Sequence, residues 1–235
     1  MIELANTREQ VYEIARKLDS TRKFVESVGV EMEGGLCREK FDKIIEKYGS
    51  TRRLGIGSDA SVRVYESDTV CEKWWVFDAE IKYWSRSVVD VIEFADYVFS
   101  LGFKQNSTCG NHHHFKFILH PLTTTVLMSP EAIKMYKRMY LKVFGNNAKY
   151  VDRLKNRYCY MQESVYDIIL NFTYERYYAF NVQSYFEAQN TLEIRLMPYA
   201  EDFIEYANQV LFNIQALETI INKLMKNNEF TLKVP

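Results

Sequence analysis

Four short segments alternate residue by residue between apolar and charged side chains, and this pattern constrains the fold more than any other feature. They are 28–33 (VGVEME), 79–84 (AEIKYW), 112–117 (HHHFKF) and 191–196 (TLEIRL). A period of two marks a β-strand with one face in a core. Val28, Val30 and Met32 then oppose Glu31 and Glu33. Ala79, Ile81 and Tyr83 oppose Glu80 and Lys82. His113, Phe115 and Phe117 oppose His112, His114 and Lys116. Leu192, Ile194 and Leu196 oppose Glu193 and Arg195.

The segments between them read as helices. Thr7 and Gln10 suit a capping box ahead of Val11, Ile14, Ala15 and Leu18, which predicts a helix over about 7–19. Phe41, Ile44, Ile45 and Tyr48 predict a second helix that stops at Gly49. Val88 to Phe99 carry a helical stripe ending before Gly102. Ser129, Pro130 and Glu131 suit an N-cap and first turn, with Gly145 as the stop. A long helix is expected over about 200–226. Further strands are expected at 61–65, 177–182 and 230–234. Strands come in pairs with no regular βαβ repeat, so the expected class is α+β with a largely antiparallel sheet. In 235 residues with 9 Gly, 4 Pro and no linker-like stretch, one domain spanning 1–235 is the simplest organisation.

Composition excludes several classes. Lys plus Arg (30) nearly balances Asp plus Glu (31), which gives no support to non-specific nucleic-acid binding. No stretch reaches the roughly 18 apolar residues of a membrane span. The opening MIELANTREQ does not read as a signal peptide. Cys37, Cys71, Cys109 and Cys159 form no CxxC pair and are too few for a disulfide scaffold. A reducing, cytoplasmic setting is expected.

A solvated sheet face usually offers Lys, Thr, Ser and Gln. These strands offer E-x-E, H-x-H and E-x-R. If they are neighbours, carboxylates and imidazoles converge beside a guanidinium. Packed carboxylates repel unless cations neutralise them. Such a donor set suits Mg²⁺ or Mn²⁺, and the arginine suits a phosphate. A zinc site with His112, His114, a glutamate and Cys109 is the competing reading. Phosphate-loop, dinucleotide-fold and nucleophile-elbow motifs are absent; Gly55 and Gly57 form only an isolated G-x-G. Asn181 and Gln183 share a face if their segment is a strand. Trp74 and Trp75 would face opposite sides. Ala207, Val210, Ile214, Leu217, Ile221 and Leu224 are heptad-spaced. They suit either a core-packing helix or a seam with a second copy, the latter making an oligomer through the C-terminal helix.

Taken in order, the motifs resemble the amidoligase family of carboxylate–amine ligases, the superfamily that also holds glutamine synthetase and glutamate–cysteine ligase. They are G-V-E-M-E at Gly29–Glu33, S-D-A-S at Ser58–Ser61, A-E-I-K around Glu80 and C-G-N-H-H-H at Cys109–His114. R-Y-Y-A-F-N-V-Q-S at Arg176–Ser184 and T-L-E-I-R at Thr191–Arg195 complete the series. Ala60 stands where the family usually has glycine. The resemblance implies an antiparallel sheet curved into a funnel, with helices outside it. It implies ATP- and Mg²⁺-dependent amide or isopeptide formation through an acyl phosphate. By the same resemblance, Glu31, Glu33, Glu80, His112 and Glu193 would ligate Mg²⁺ or Mn²⁺. His112, His114, Asn181 and Arg195 would hold the nucleotide, and Arg195, Glu193 and Asp59 would serve catalysis. The substrates would be a carboxylate and an amine: an amino acid, a peptide or a protein side chain. Arg195, on the polar face, is expected to matter for chemistry and little for stability. A Zn- or Mn-dependent peptidase or nuclease on the same face, and a non-catalytic protein of this fold, are the alternatives.

Overall fold

The computed structural model describes residues 2–57, 62, 64, 76–118, 122–163, 167, 177–182 and 190–226. Asp59, most of 61–65, Trp74, Trp75, Arg176, Gln183 and the closing segment 230–234 lie outside the described residues.

The fold is α+β, built on an antiparallel six-stranded sheet in the order β2-β3-β1-β4-β6-β5. The strands are β1 (Val25–Cys37), β2 (Leu54–Gly57), β3 (Val76–Ser85), β4 (Gly110–Phe117), β5 (Phe180–Asn181) and β6 (Leu192–Pro198). The helices are α1 (Arg8–Thr21), α2 (Arg38–Tyr48), α3 (Val88–Ser100), α4 (Leu122–Leu127), α5 (Pro130–Phe144), α6 (Ala148–Arg153) and α7 (Phe203–Lys226).

Local chemistry sets the helix ends. Thr7 accepts a hydrogen bond from the backbone N of Gln10, and the Gln10 side chain accepts from Asn6 N. This is a capping box shifted one residue outward. Ser129 accepts from Ala132 N above Pro130 at the first helical position. The expected strand over 177–182 is reduced to Phe180–Asn181 plus a bridge from Tyr178 to Tyr160.

The apolar faces of all four alternating segments point into one core. Val28, Val30, Met32, Ile81, Phe115, Leu192 and Ile194 are all buried there, against α1, α3, α5 and α7. The heptad residues of α7, from Ala207 to Leu224, belong to that same core. That face is therefore covered by its own chain, which leaves the expected seam with a second copy no free surface. Gln209 and Asn213 also lie on α7 and are fully buried. Asn213 Nδ2 meets His113 Nδ1 at 2.7 Å, and Asn111 donates to Gln209 Oε1 at 2.8 Å. These bonds hold the central helix in register beneath β4.

Cys37 is disulfide-bonded, and Cys109 and Cys159 are buried. No helix among the described residues is long and apolar enough to cross a membrane.

Candidate metal and anion site

Antiparallel register places the charged residues in rows across the sheet. Lys82, Glu31 and His112 are direct neighbours across β3, β1 and β4. Glu33 pairs with Glu80, and His114 with Glu193. Glu31, Glu33, Glu80, His112, His114, Glu193 and Arg195 thus share one face.

The contacts are direct. His112 Nδ1 lies 2.8 Å from Glu31 Oε1 and 3.3 Å from Glu193 Oε1, and His112 Nε2 lies 3.6 Å from Glu33 Oε1. His114 Nε2 lies 3.4 Å from Glu31 Oε2. Arg195 Nη1 donates to Glu193 Oε1 at 2.7 Å, and its Nε donates to Tyr158 O at 3.3 Å. Gly110 N donates to Glu33 Oε2 at 2.6 Å. Glu31, Glu33 and Glu193 are only 7%, 6% and 3% exposed. Carboxylates this dry need cations.

Two donor sets have ligand atoms within 4.8 Å of one another: Glu31, Glu33 and His112, and Glu31, His114 and Glu193. Glu31 belongs to both. An oxygen-rich set with one imidazole in each fits a hard divalent cation. Cys109 belongs to neither set; its thiol packs in a small cluster with Val62 and Val64. That removes the cysteine from the zinc reading.

Glu80 also stands outside both sets. Its carboxylate takes the Lys82 ammonium at 2.5 Å, and Lys82 reaches Glu31 Oε2 at 3.0 Å. Burial, followed by the neighbouring Glu31, pushes Glu80 up to about 7. Burial works against charge on Glu31 as well, yet hydrogen bonds with His112 and His114 hold its carboxyl well below the usual range. Burial likewise opposes charge on Glu193, and Arg195, His114 and His112 outweigh it. His114 is raised despite its burial, because Glu31 and Glu193 favour the imidazolium.

One expectation changes. Asn181 Nδ2 donates to Glu193 Oε2 at 2.6 Å and so orients that carboxylate. Arg195 is mostly buried against Glu193. Removing it would leave a buried carboxylate short of a partner, a loss of about 3–5 kcal/mol. The expectation of little effect on stability is therefore revised. Lys82 was legible as a face residue but not as the cation between Glu31 and Glu80.

Beside His114 and Lys82 the face opens into a cavity of about 450 Å³. Gly29 lies between Trp84 and His114, and Gly55 opposes Lys82, so the floor lacks side chains at both positions. Trp84, 49% exposed, lines it. Arg52, Lys82 and Lys116 make the lining cationic. G-x-G at 55–57, set aside as an isolated motif, was the available signal: Gly57 opposes Glu80 on the same face.

No family model matches this chain, and no curated protein matches it.

Proposed function

We propose that the protein is an ATP- and divalent-metal-dependent carboxylate–amine ligase of the amidoligase kind, with a sheet of the glutamine synthetase and glutamate–cysteine ligase type. The carrying observation is the pair of donor sets sharing Glu31, next to Arg195 and opening on a cationic cavity. Phosphoryl transfer needs positioning and charge neutralisation more than covalent help from the protein, and this face is made of both.

Glu31, Glu33 and His112, with Glu31, His114 and Glu193, would hold Mg²⁺ or Mn²⁺. A bound divalent ion supplies neutralisation of phosphate charge and lowers the repulsion between two anionic reactants. Trp84 beside Gly29 gives a nucleobase a flat apolar surface. Arg52, Lys82 and Lys116 draw in the phosphates. Arg195, fixed by Glu193 and by Tyr158 O, meets the transferring phosphoryl oxygens. In the reaction a substrate carboxylate oxygen bonds to the γ-phosphorus as the bond to ADP breaks. The amine nitrogen then attacks the acyl carbon of the resulting acyl phosphate and loses a proton, and phosphate leaves.

The test is calorimetric titration with a non-hydrolysable ATP analogue, with and without Mg²⁺. Binding that requires both, with a melting temperature that rises with ligand, is the expected result. Absence of any nucleotide binding with metal present refutes the ligase reading. Stoichiometric zinc that survives dialysis, together with nucleotide silence, turns the balance to a metal-dependent hydrolase.

A further inference from the structure

The charged face has a second end, away from Trp84, where Gly110 and Glu33 meet α6 and the 158–159 loop. Arg153, the last residue of α6, lies there. A Cβ added to Gly110 would overlap Arg153 Nη2 and would stand 3.4 Å from Glu33 Oε2. The absent side chain of Gly110 is what lets this guanidinium approach the carboxylate end of the site.

Arg153 is poorly satisfied. A guanidinium carries five N–H donors. Among the described residues its one hydrogen bond is from Nη2 to Arg195 O, at 3.4 Å. Its Nε is buried without a partner, and it forms no salt bridge among the described residues. Arg195, two residues from Glu193 on β6, spends Nη1 on Glu193 and Nε on Tyr158 O, with no partner for Nη2 among the described residues. The two guanidiniums flank the buried Cys159, whose thiol donates to Arg153 O at 3.3 Å. A half-buried arginine without a carboxylate, beside a second arginine with a spare donor, is half of an ion pair. Its complement is an anion with two or more oxygens.

We infer that Arg153 and Arg195 form an oxyanion subsite at the Gly110 end of the face, built to grip a carboxylate or a phosphoryl group. Which oxyanion it takes rests on the ligase reading: the acid substrate would enter here, opposite the cavity lined by Trp84, with the two donor sets between them. The subsite itself stands on the geometry of Arg153, Gly110 and Arg195.

The experiment uses the full chain with Mn²⁺ and no nucleotide, titrated separately with glutarate and with inorganic phosphate. Variants are Arg153→Met, Arg153→Lys and Gly110→Ala. Wild type should bind at least one of the two anions. Arg153→Met and Gly110→Ala should each weaken it by about tenfold or more, and Arg153→Lys should restore only part, since the fork is lost. Mn²⁺ affinity should stay within about twofold in all three. Gly110→Ala displaces only the far end of a flexible side chain, so it remains informative if Arg153→Met folds poorly.

A glutarate preference assigns the subsite to the acid substrate, and a phosphate preference assigns it to the phosphoryl group. Wild type that binds neither anion overturns the inference. So does Arg153→Met binding like wild type, or losing Mn²⁺ in parallel, which would make Arg153 a structural clasp on Arg195 O. Anion binding that depends on Arg153 in a protein deaf to nucleotide would refute the ligase and keep the subsite.

Discussion

Three consecutive histidines on β4 divide between the two faces of the sheet, and the faces use one side chain in opposite ways. His112 and His114 sit among carboxylates, and Glu31 and Glu193 raise the pKa of His114. His113 points into the core, where burial and then its two neighbours push its pKa down to about 3. There it meets Asn213 on α7, which also takes the Tyr136 hydroxyl, and the Tyr206 ring packs edge-on with its centroid 5.9 Å from that of the imidazole. Strand alternation thus sets a charge-bearing imidazole one residue from a neutral structural one. Environment, not residue type, decides which is which.

The sharpest way to break this contrast is to cut each face on the same strand. Phe115→Ala, on the core face, should cost about 3–5 kcal/mol in urea unfolding, while Mn²⁺ affinity of the folded fraction stays unchanged. His114→Gln, one residue earlier, should move stability by less than about 1 kcal/mol and lower Mn²⁺ affinity by at least about tenfold. Equal effects on both properties from both variants would erase the distinction.

Next is chemistry on the charged face. Arg195→Lys keeps a cation beside Glu193 but loses the planar fork. Turnover should fall by about 10²–10³-fold with a smaller loss of melting temperature than in Arg195→Ala, as phosphate release assays beside thermal melts would read. Turnover that tracks folded fraction alone would make Arg195 a purely structural partner.

The core face has its own signature in acid. The native pKa of His113 lies below its ordinary value, so the native state favours the neutral ring. Its contribution is full above about pH 6.5 and is lost as pH falls toward about 3, at about 1.4 kcal/mol per pH unit. His113→Gln keeps an acceptor for Asn213 without the titration. Its unfolding free energy should therefore fall less steeply than wild type between about pH 6.5 and 4. Parallel curves would show that His113 takes up no proton on unfolding.

The smallest stability effect should come from Trp84→Ala, within about 0.5 kcal/mol, because half of the ring is already in water. Affinity for the ATP analogue should still fall by about tenfold through lost stacking. Unchanged affinity would move the nucleobase out of that cavity.

The two faces were readable because alternation is local: E-x-E, H-x-H and E-x-R announce both orientation and donor type without knowledge of strand order. The apolar stripe of α7 was readable for the same reason. Features made by long-range approach were not. Arg153 lies in a charge-rich stretch, AKYVDRLKNR, that looks like any solvated helix end; only the proximity of Gly110, on a strand more than forty positions earlier, gives it meaning. The bond from Asn181 to Glu193 was hidden because it joins adjoining strands at a register no single segment reveals. Gln209 and Asn213 hide among the apolar residues of α7, and their partners on β4 are about a hundred residues away.

The sheet order also sets when a ligand site first exists. β1 lies between β3 and β4, and β6 joins only through β4. Glu31 meets His112 across 81 positions, and Glu193 arrives later still. Chains dominated by such distant pairings fold slowly. During synthesis, a nascent chain extended through β4 holds Glu31, Glu33 and His112 together at most, with no Glu193 or Arg195 to finish the second donor set. Half-made protein therefore cannot complete the second donor set, and metal occupancy of that set would report that β6 has docked beside β4.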